Sequence, residues 1–324
     1  MSDLSLYTAL IGGFVILALA GDLLVSSSLA LARKLGLSSL VAGIVIVGFG
    51  TSAPELFVSL NAALDGSPGI ALGNIVGSNI ANIWLVLAIP ALMVPIATKT
   101  SGLRQAYGLM ALATFGFIAI TIYSALTPAI GIGLILGLII YLILTIRSST
   151  DDRGTSLQAR SFEMSNFRLW ASLLIGVIGL PLGAHLMVEG GVGVARKFEV
   201  SEYVIGLTLL AVGTSLPELG AAIAAAVRRR GEVIVGEIIG SNIFNLLGAG
   251  GLIAMFGPVE IAGDFPNYGY WALGLSTLVL ALFVLPKSKI SRLAAAAMVL
   301  VYLIYIYGLI EGWNIAAGVG GLID

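Results

Sequence analysis

The sequence predicts an all-α integral membrane protein of ten transmembrane helices, built as two inverted five-helix repeats in which helices 2, 3, 7 and 8 are broken. Three observations carry this reading. The chain is 58% apolar and 10% charged, with a mean hydropathy of +1.06, whereas a soluble domain is about 25% charged. A stretch of it occurs twice, 163 residues apart. Its Lys and Arg fall almost wholly on one side of the apolar spans, which fixes orientation.

Apolar runs of about 20 residues, the length that crosses hydrocarbon, place spans at 6–30, 40–64, 70–96, 104–124, 127–147, 167–193, 203–227, 233–258, 268–286 and 292–311. The first is read as a retained span, because no basic n-region or cleavage site accompanies it. All sixteen Lys and Arg then lie in the connections or within two residues of a span end. Fourteen fall on the side of the loops after spans 1, 3, 5, 7 and 9, and only Arg196 and Lys197 fall on the opposite side. The positive-inside rule puts the fourteen in the cytoplasm and both termini outside.

Five spans per half is an odd number, so the second half enters the membrane inverted. Arg33-Lys34 and Arg196-Lys197 match at the repeat offset and land on opposite sides. The one long polar connection, rich in Ser, Asp and Arg, reads as a cytoplasmic linker at 148–166. It separates a first repeat, 1–147, from a second, 167–324. Inverted repeats around a midplane site are the architecture of alternating-access transporters.

The repeated stretch contains the chemistry. Gly50-Thr51-Ser52-Ala53-Pro54-Glu55 returns as Gly213-Thr214-Ser215-Leu216-Pro217-Glu218. A second block, from Gly73-Asn74 to Ser78-Asn79 and Asn82, returns from Gly236-Glu237 to Ser241-Asn242 and Asn245. An ionisable residue inside hydrocarbon is costly and marks a functional site by default. Thr51 and Glu55, like Thr214 and Glu218, share a helix face at i, i+4. Pro54 and Pro217 lack an N–H and clash with the carbonyls of Gly50 and Gly213, which predicts a break at membrane depth. Irregular backbone is tolerated there only where it lines a cavity or is buried in protein. Ser78 and Asn82, and Ser241 and Asn245, again stand at i, i+4, between glycines that let backbones approach.

The resulting ligand set is all oxygen. Ca²⁺ and Na⁺ suit it better than Zn²⁺ or Cu⁺. Two carboxylates can neutralise one divalent ion, or can be neutralised by monovalent ions or protons, and that competition is what an antiporter needs. The alternative for Glu55 and Glu218 is a buried structural acid. Their repetition argues against it, and no Lys or Arg at membrane depth offers either a salt bridge. With no cysteine, disulfides, thiolate metal sites and cysteine nucleophiles are excluded. A net charge of −1 suggests no nucleic-acid partner, and no enzyme activity, cofactor or obligatory protein partner is expected.

The sequences GTSxPE and GN(x)xGSN(x)xN, once in each half, resemble the two alpha-repeats of the calcium/cation antiporter superfamily, in the manner of a prokaryotic sodium/calcium exchanger-type protein. The resemblance covers essentially all ten spans. It implies an ion site where spans 2, 3, 7 and 8 meet, exchange of Ca²⁺ for Na⁺ or H⁺, and sliding of spans 1 and 6. Carried over by position, Glu55 and Glu218 are the central calcium ligands, and Thr51, Thr214 and the backbone at Gly48 and Ala211 add oxygens. Ser52, Ser78, Ser215 and Ser241 line sodium sites, and Asn82 and Asn245 complete the central layer. Asparagine at 245, where some members carry aspartate, implies potassium independence.

Two features depart from the pattern. Glu237 stands where repeat one keeps Asn74; it reads as a third site carboxylate or, preferably, as an acid at the mouth of the cytoplasmic path. Asp22 and His185 occupy equivalent positions in spans 1 and 6. His185 reads as a pH sensor or gate, or, preferably, as a hydrogen-bonded histidine at a helix interface. Among rival functions, an intramembrane serine hydrolase using His185 is disfavoured, because the serines recur in both repeats and the histidine does not. A passive cation channel with a ring of carboxylates remains open from sequence alone, as does proton rather than sodium coupling. The abundant hydroxyl and amide oxygens lean toward sodium. The composition suggests a bacterial or archaeal inner membrane.

Overall fold

The computed structural model describes residues 3–66, 68–150, 164–198, 211–256 and 265–311. Within them the chain is almost wholly helical. Seven helices are long and apolar enough to cross a membrane, or eight if one bent pair counts as a span. Helix α1 covers Asp3–Leu35, α2 Ser39–Thr51, α3 Ala53–Leu64 and α4 Gly69–Met93. Then come α5 (Leu103–Tyr123), α6 (Pro128–Thr150) and α7 (Asn166–Lys197). Beyond the short turn Ala211–Gly213 follow α8 (Leu216–Val227), α9 (Gly231–Met255), α10 (Phe265–Val284) and α11 (Arg292–Ile310). The apolar stretches of α8 and α10, Leu216–Val227 and Tyr268–Val284, are shorter than a full span. They occupy the places expected for spans 7 and 9, and 203–210 of span 7 lie outside the described residues. The linker reading over 151–163 also falls outside them.

Burial separates the helices into a centre and a rim. In α4 and α9, the two helices of the Gly-Ser-Asn block, 83% and 78% of the core window is buried; in the other five long helices the share is 28–33%. The rim exposes large apolar side chains such as Ile11, Phe14, Leu112, Ile140 and Trp271. Apolar residues are used this way where the surrounding solvent is lipid.

Glycines set the closest helix contacts. Along α7, a Cβ on Gly190, Gly183 or Gly176 would stand 2.7, 2.8 and 2.8 Å from atoms of Leu10, Leu17 and Leu24 on α1. As one number rises by seven the other falls by seven, so α1 and α7 pack antiparallel with backbones touching. Lys34 at the end of α1 accordingly donates to Asn166 Oδ1 at the start of α7, at 2.5 Å. In the centre, Gly236 and Gly240 of α9 lie against the carbonyls of Leu40 and Ile44 on α2. Those numbers rise together, so α2 and α9 run parallel. A two-residue antiparallel ribbon, Ile96↔Ile290 and Ala97↔Lys289, ties the loop after α4 to the loop after α10.

The two copies of the repeated stretch share local structure. Helix α2 ends at Ser52 (φ −84°, ψ 4°) and α3 leaves at 42° to it. Ser215 has the same backbone angles (φ −87°, ψ 4°) before α8. Pro54 and Pro217 fall in the first turn of the new helix, where a missing N–H costs nothing. The expected breaks in helices 3 and 8 are not present. Both helices continue, with a π-helical turn at Asn82–Val86 in α4 and at Phe244–Ala249 in α9. The physical reason is that neither block contains a proline, so the ladder widens by one residue without losing a donor.

A candidate cation site between the two copies

The first-copy block turns back on itself through hydrogen bonds to one carbonyl. Gly48 O accepts from the Ser52 amide at 3.2 Å and from the Thr51 hydroxyl at 3.3 Å. Ser241 of α9 donates to the same oxygen at 3.2 Å. A side chain at Gly48 would meet the α9 backbone at 2.9–3.0 Å, so glycine is required for this approach. Thr51, Ser52, Glu55, Glu218 and Ser241 are all fully buried by it.

The two copies meet at the carboxylates. Ser52 donates to Glu218 Oε1 at 2.9 Å, joining the copies across 166 residues. Glu218 Oε2 and both oxygens of Glu55 are buried with no hydrogen-bond partner. The two carboxylates are close enough to interact electrostatically. A pair of buried carboxyls with three unmatched oxygens between them is costly unless a cation answers it. Ser215 Oγ is likewise buried and without a partner, and Thr214 is half-buried beside it. Ala211 opens the short turn before them.

Amides form the adjoining layer. Asn82 Nδ2 donates to Asn242 Oδ1 at 3.0 Å, and Asn242 Nδ2 donates to Asn79 O at 3.3 Å. Asn82 Oδ1 and both polar atoms of Asn245 are buried without partners. Ser78 turns its hydroxyl onto Asn74 O at 2.6 Å, and Asn74 Nδ2 holds Glu55 O and Ser59 Oγ at 3.1 and 3.0 Å. Sequence reasoning did not single out Asn79, Asn242 or Ser59. The recurrence of Asn79 and Asn242 at the repeat offset was a usable signal; Ser59 has alanine at its counterpart, Ala222, and gave none.

Two of the three accessory candidates lie elsewhere than the preferred readings put them. Glu237 is not at a mouth: it is fully buried, and both of its oxygens lack partners. The glycine seam closes over it, since Gly43 and Gly48 press on its backbone. It lies within electrostatic reach of Glu218, yet among the described residues no three acids converge as one metal cage. His185 is not an interface histidine. Its side chain is 74% exposed, with Nε2 3.9 Å from Glu189 Oε2 one turn along, because the glycines Gly183 and Gly190, not His185, occupy the α1–α7 seam. Asp22 pairs with Arg228 on the surface and does not enter the central site.

Residues 5–147 and 168–311 match the family model described as sodium/calcium exchanger protein. The chain belongs to the sodium/calcium exchanger family. Members of the family are transporters rather than catalysts. Among relatives of this family member, the inner membrane protein YrbG of Escherichia coli is 33% identical over 283 residues, 84% of this chain and 86% of that one. The sodium/calcium exchanger MaX1 of Methanosarcina acetivorans is 28% identical over 340 residues, 93% and 97% of the two chains. A solved structure of the sodium-calcium exchanger NCX_Mj, soaked with 10 mM Na⁺ and 10 mM Sr²⁺, superposes with a TM-score of 0.82 at 32% identity, covering 94% of this chain and 99% of that one.

Proposed function

We propose that this protein is a secondary active antiporter that exchanges Ca²⁺ for Na⁺ by alternating access, without need of potassium. The observation that carries the reading is the buried pair Glu55 and Glu218, one from each copy, joined through Ser52 and holding three unmatched carboxylate oxygens. Thr51, Thr214 and the carbonyls at Gly48 and Ala211 supply neutral oxygens around the pair, as a hard cation requires. Ser52, Ser78, Ser215 and Ser241 serve the sodium ions, and Asn82 and Asn245 close the layer. Two carboxylates balance one calcium ion or two monovalent ions. The same pair can therefore hold either cargo but not both.

The antiparallel α1–α7 pair supports an inverted arrangement, since these helices carry equivalent residues. In that arrangement ten spans form two repeats, 1–147 and 167–324, joined by a cytoplasmic linker at 148–166, with both termini outside a prokaryotic inner membrane. Asparagine at 245 in place of an acid supports potassium independence.

Calcium entry into sodium-loaded proteoliposomes, followed after dilution into sodium-free buffer at fixed pH, tests the reading. The expected result is uptake that needs internal sodium, ignores potassium, and vanishes in Glu55→Gln and Glu218→Gln. Uptake driven by a pH gradient instead would make the proton the coupling ion. Flux without any counter-ion would make the protein a channel.

A further inference from the structure

Arg228 and Asp22 form an ion pair between the end of α8 and the middle of α1. Arg228 Nε donates to Asp22 Oδ1 at 2.7 Å, and Nη2 lies 2.6 Å from the same oxygen. The 163-residue offset gives each partner a counterpart: His185 on α7 for Asp22, and Asp65 for Arg228. The counterparts are structurally the same positions. Asp65 caps α3 as Arg228 caps α8, with φ/ψ of −78°/7° and −82°/0°. The next residue is left-handed in both copies, Gly66 at φ 74° and Arg229 at φ 55°.

The charges are interchanged between the copies. In one, the long helix carries the acid and the cap carries the base; in the other, the long helix carries the basic side chain and the cap carries the acid. Only the first contact is made. His185 has its nearest acid on its own helix, at 3.9 Å, and Asp65 is exposed, with no ion pair to any described residue. One contact made and its counterpart open is what an inverted repeat produces in one of its two end states.

We propose that Asp22–Arg228 and His185–Asp65 are alternating latches. The first holds closed the face on which Arg228 lies. The second closes the opposite face in the other end state, and only one is made at a time. All four side chains are exposed in the structure, so each latch shifts the balance between states by up to about five-fold rather than locking it. The proposal rests on the inverted-repeat exchanger reading above, but adds four residues outside the cation site.

The chain has no cysteine, so spin labels can be placed at Leu19→Cys and Val227→Cys, both exposed beside the Asp22–Arg228 pair. Pulsed EPR distances in lipid nanodiscs then report the state without any transport. Asp22→Asn should enrich a second, longer distance, and Asp65→Asn should deplete it. The exchange Asp22→Arg with Arg228→Asp should restore the wild-type distribution. Distances unmoved by Asp22→Asn, or moved the same way by Asp22→Asn and Asp65→Asn, overturn the latches. A failed calcium assay with responsive distances removes the exchange reading alone; working exchange with unmoved distances removes the latches alone.

Discussion

Ser52 of the first copy donates its hydroxyl to Glu218 of the second at 2.9 Å, while the hydroxyl of the equivalent Ser215 is buried without a hydrogen-bond partner. These two serines are therefore equivalent in sequence and unequal in the structure. Glu218 is oriented by its neighbour across the interface, and Glu55 is not.

That asymmetry predicts unequal serines. A hydrogen bond to a charged group contributes about 1.5–3 kcal/mol, so Ser52→Ala should weaken apparent calcium affinity by at least about ten-fold. Ser215→Ala should have a smaller effect. The half-saturating calcium concentration in sodium-loaded vesicles measures both, and equal effects would contradict the asymmetry.

Glu237 should be a liability for stability. Its oxygens are buried without partners, and Ala222 lacks the hydroxyl that Ser59 offers Asn74 in the other copy. Replacing it by the first-copy residue, Glu237→Asn, removes an unmatched carboxyl and should stabilise the fold by about 1–3 kcal/mol. Thermal unfolding in detergent without calcium or sodium is the check; a lower melting temperature would show that Glu237 has a stabilising partner.

The glycine seam between α2 and α9 should tolerate no side chain. A Cβ at Gly240 would run into the Ile44 carbonyl, which is backbone and cannot swing away. Gly240→Ala should destabilise by about 1–3 kcal/mol or more and displace Ser241 from Gly48. Gly133→Ala is the control, because a Cβ added there meets no described atom within 4 Å beyond the neighbouring backbone of its own helix. Size-exclusion profiles and unfolding temperatures of the two variants should separate clearly.

The amide bridge should couple the copies. Asn82 and Asn242 are hydrogen-bonded at 3.0 Å across 160 residues. Polar bonds between membrane helices are worth about 0.6 kcal/mol on average. A double-mutant cycle of Asn82→Ala and Asn242→Ala on unfolding stability should return a coupling of about that size. Strict additivity would place the bridge outside the energetics of the interface.

Composition and periodicity determined much of this protein. Apolar runs located the long helices, and the repeated Pro-Glu block located both the backbone break and the two carboxylates. These are local properties: a missing N–H breaks a helix wherever it is, and a glutamate in an apolar run is costly in any fold. The tertiary structure decided what depends on neighbours. It placed a π turn, not a break, in α4 and α9, because only packing tells whether a helix yields where a block of its sequence has no proline. It buried Glu237, which in the sequence looks like any acid near a chain turn, because the seam that covers it comes from glycines nearly 200 residues away. It left His185 exposed and paired Asp22 with Arg228, since the side of a helix that meets a partner is set by that partner. The sequence named the chemical groups; the distances that decide which groups face one another arose only when the two copies packed together.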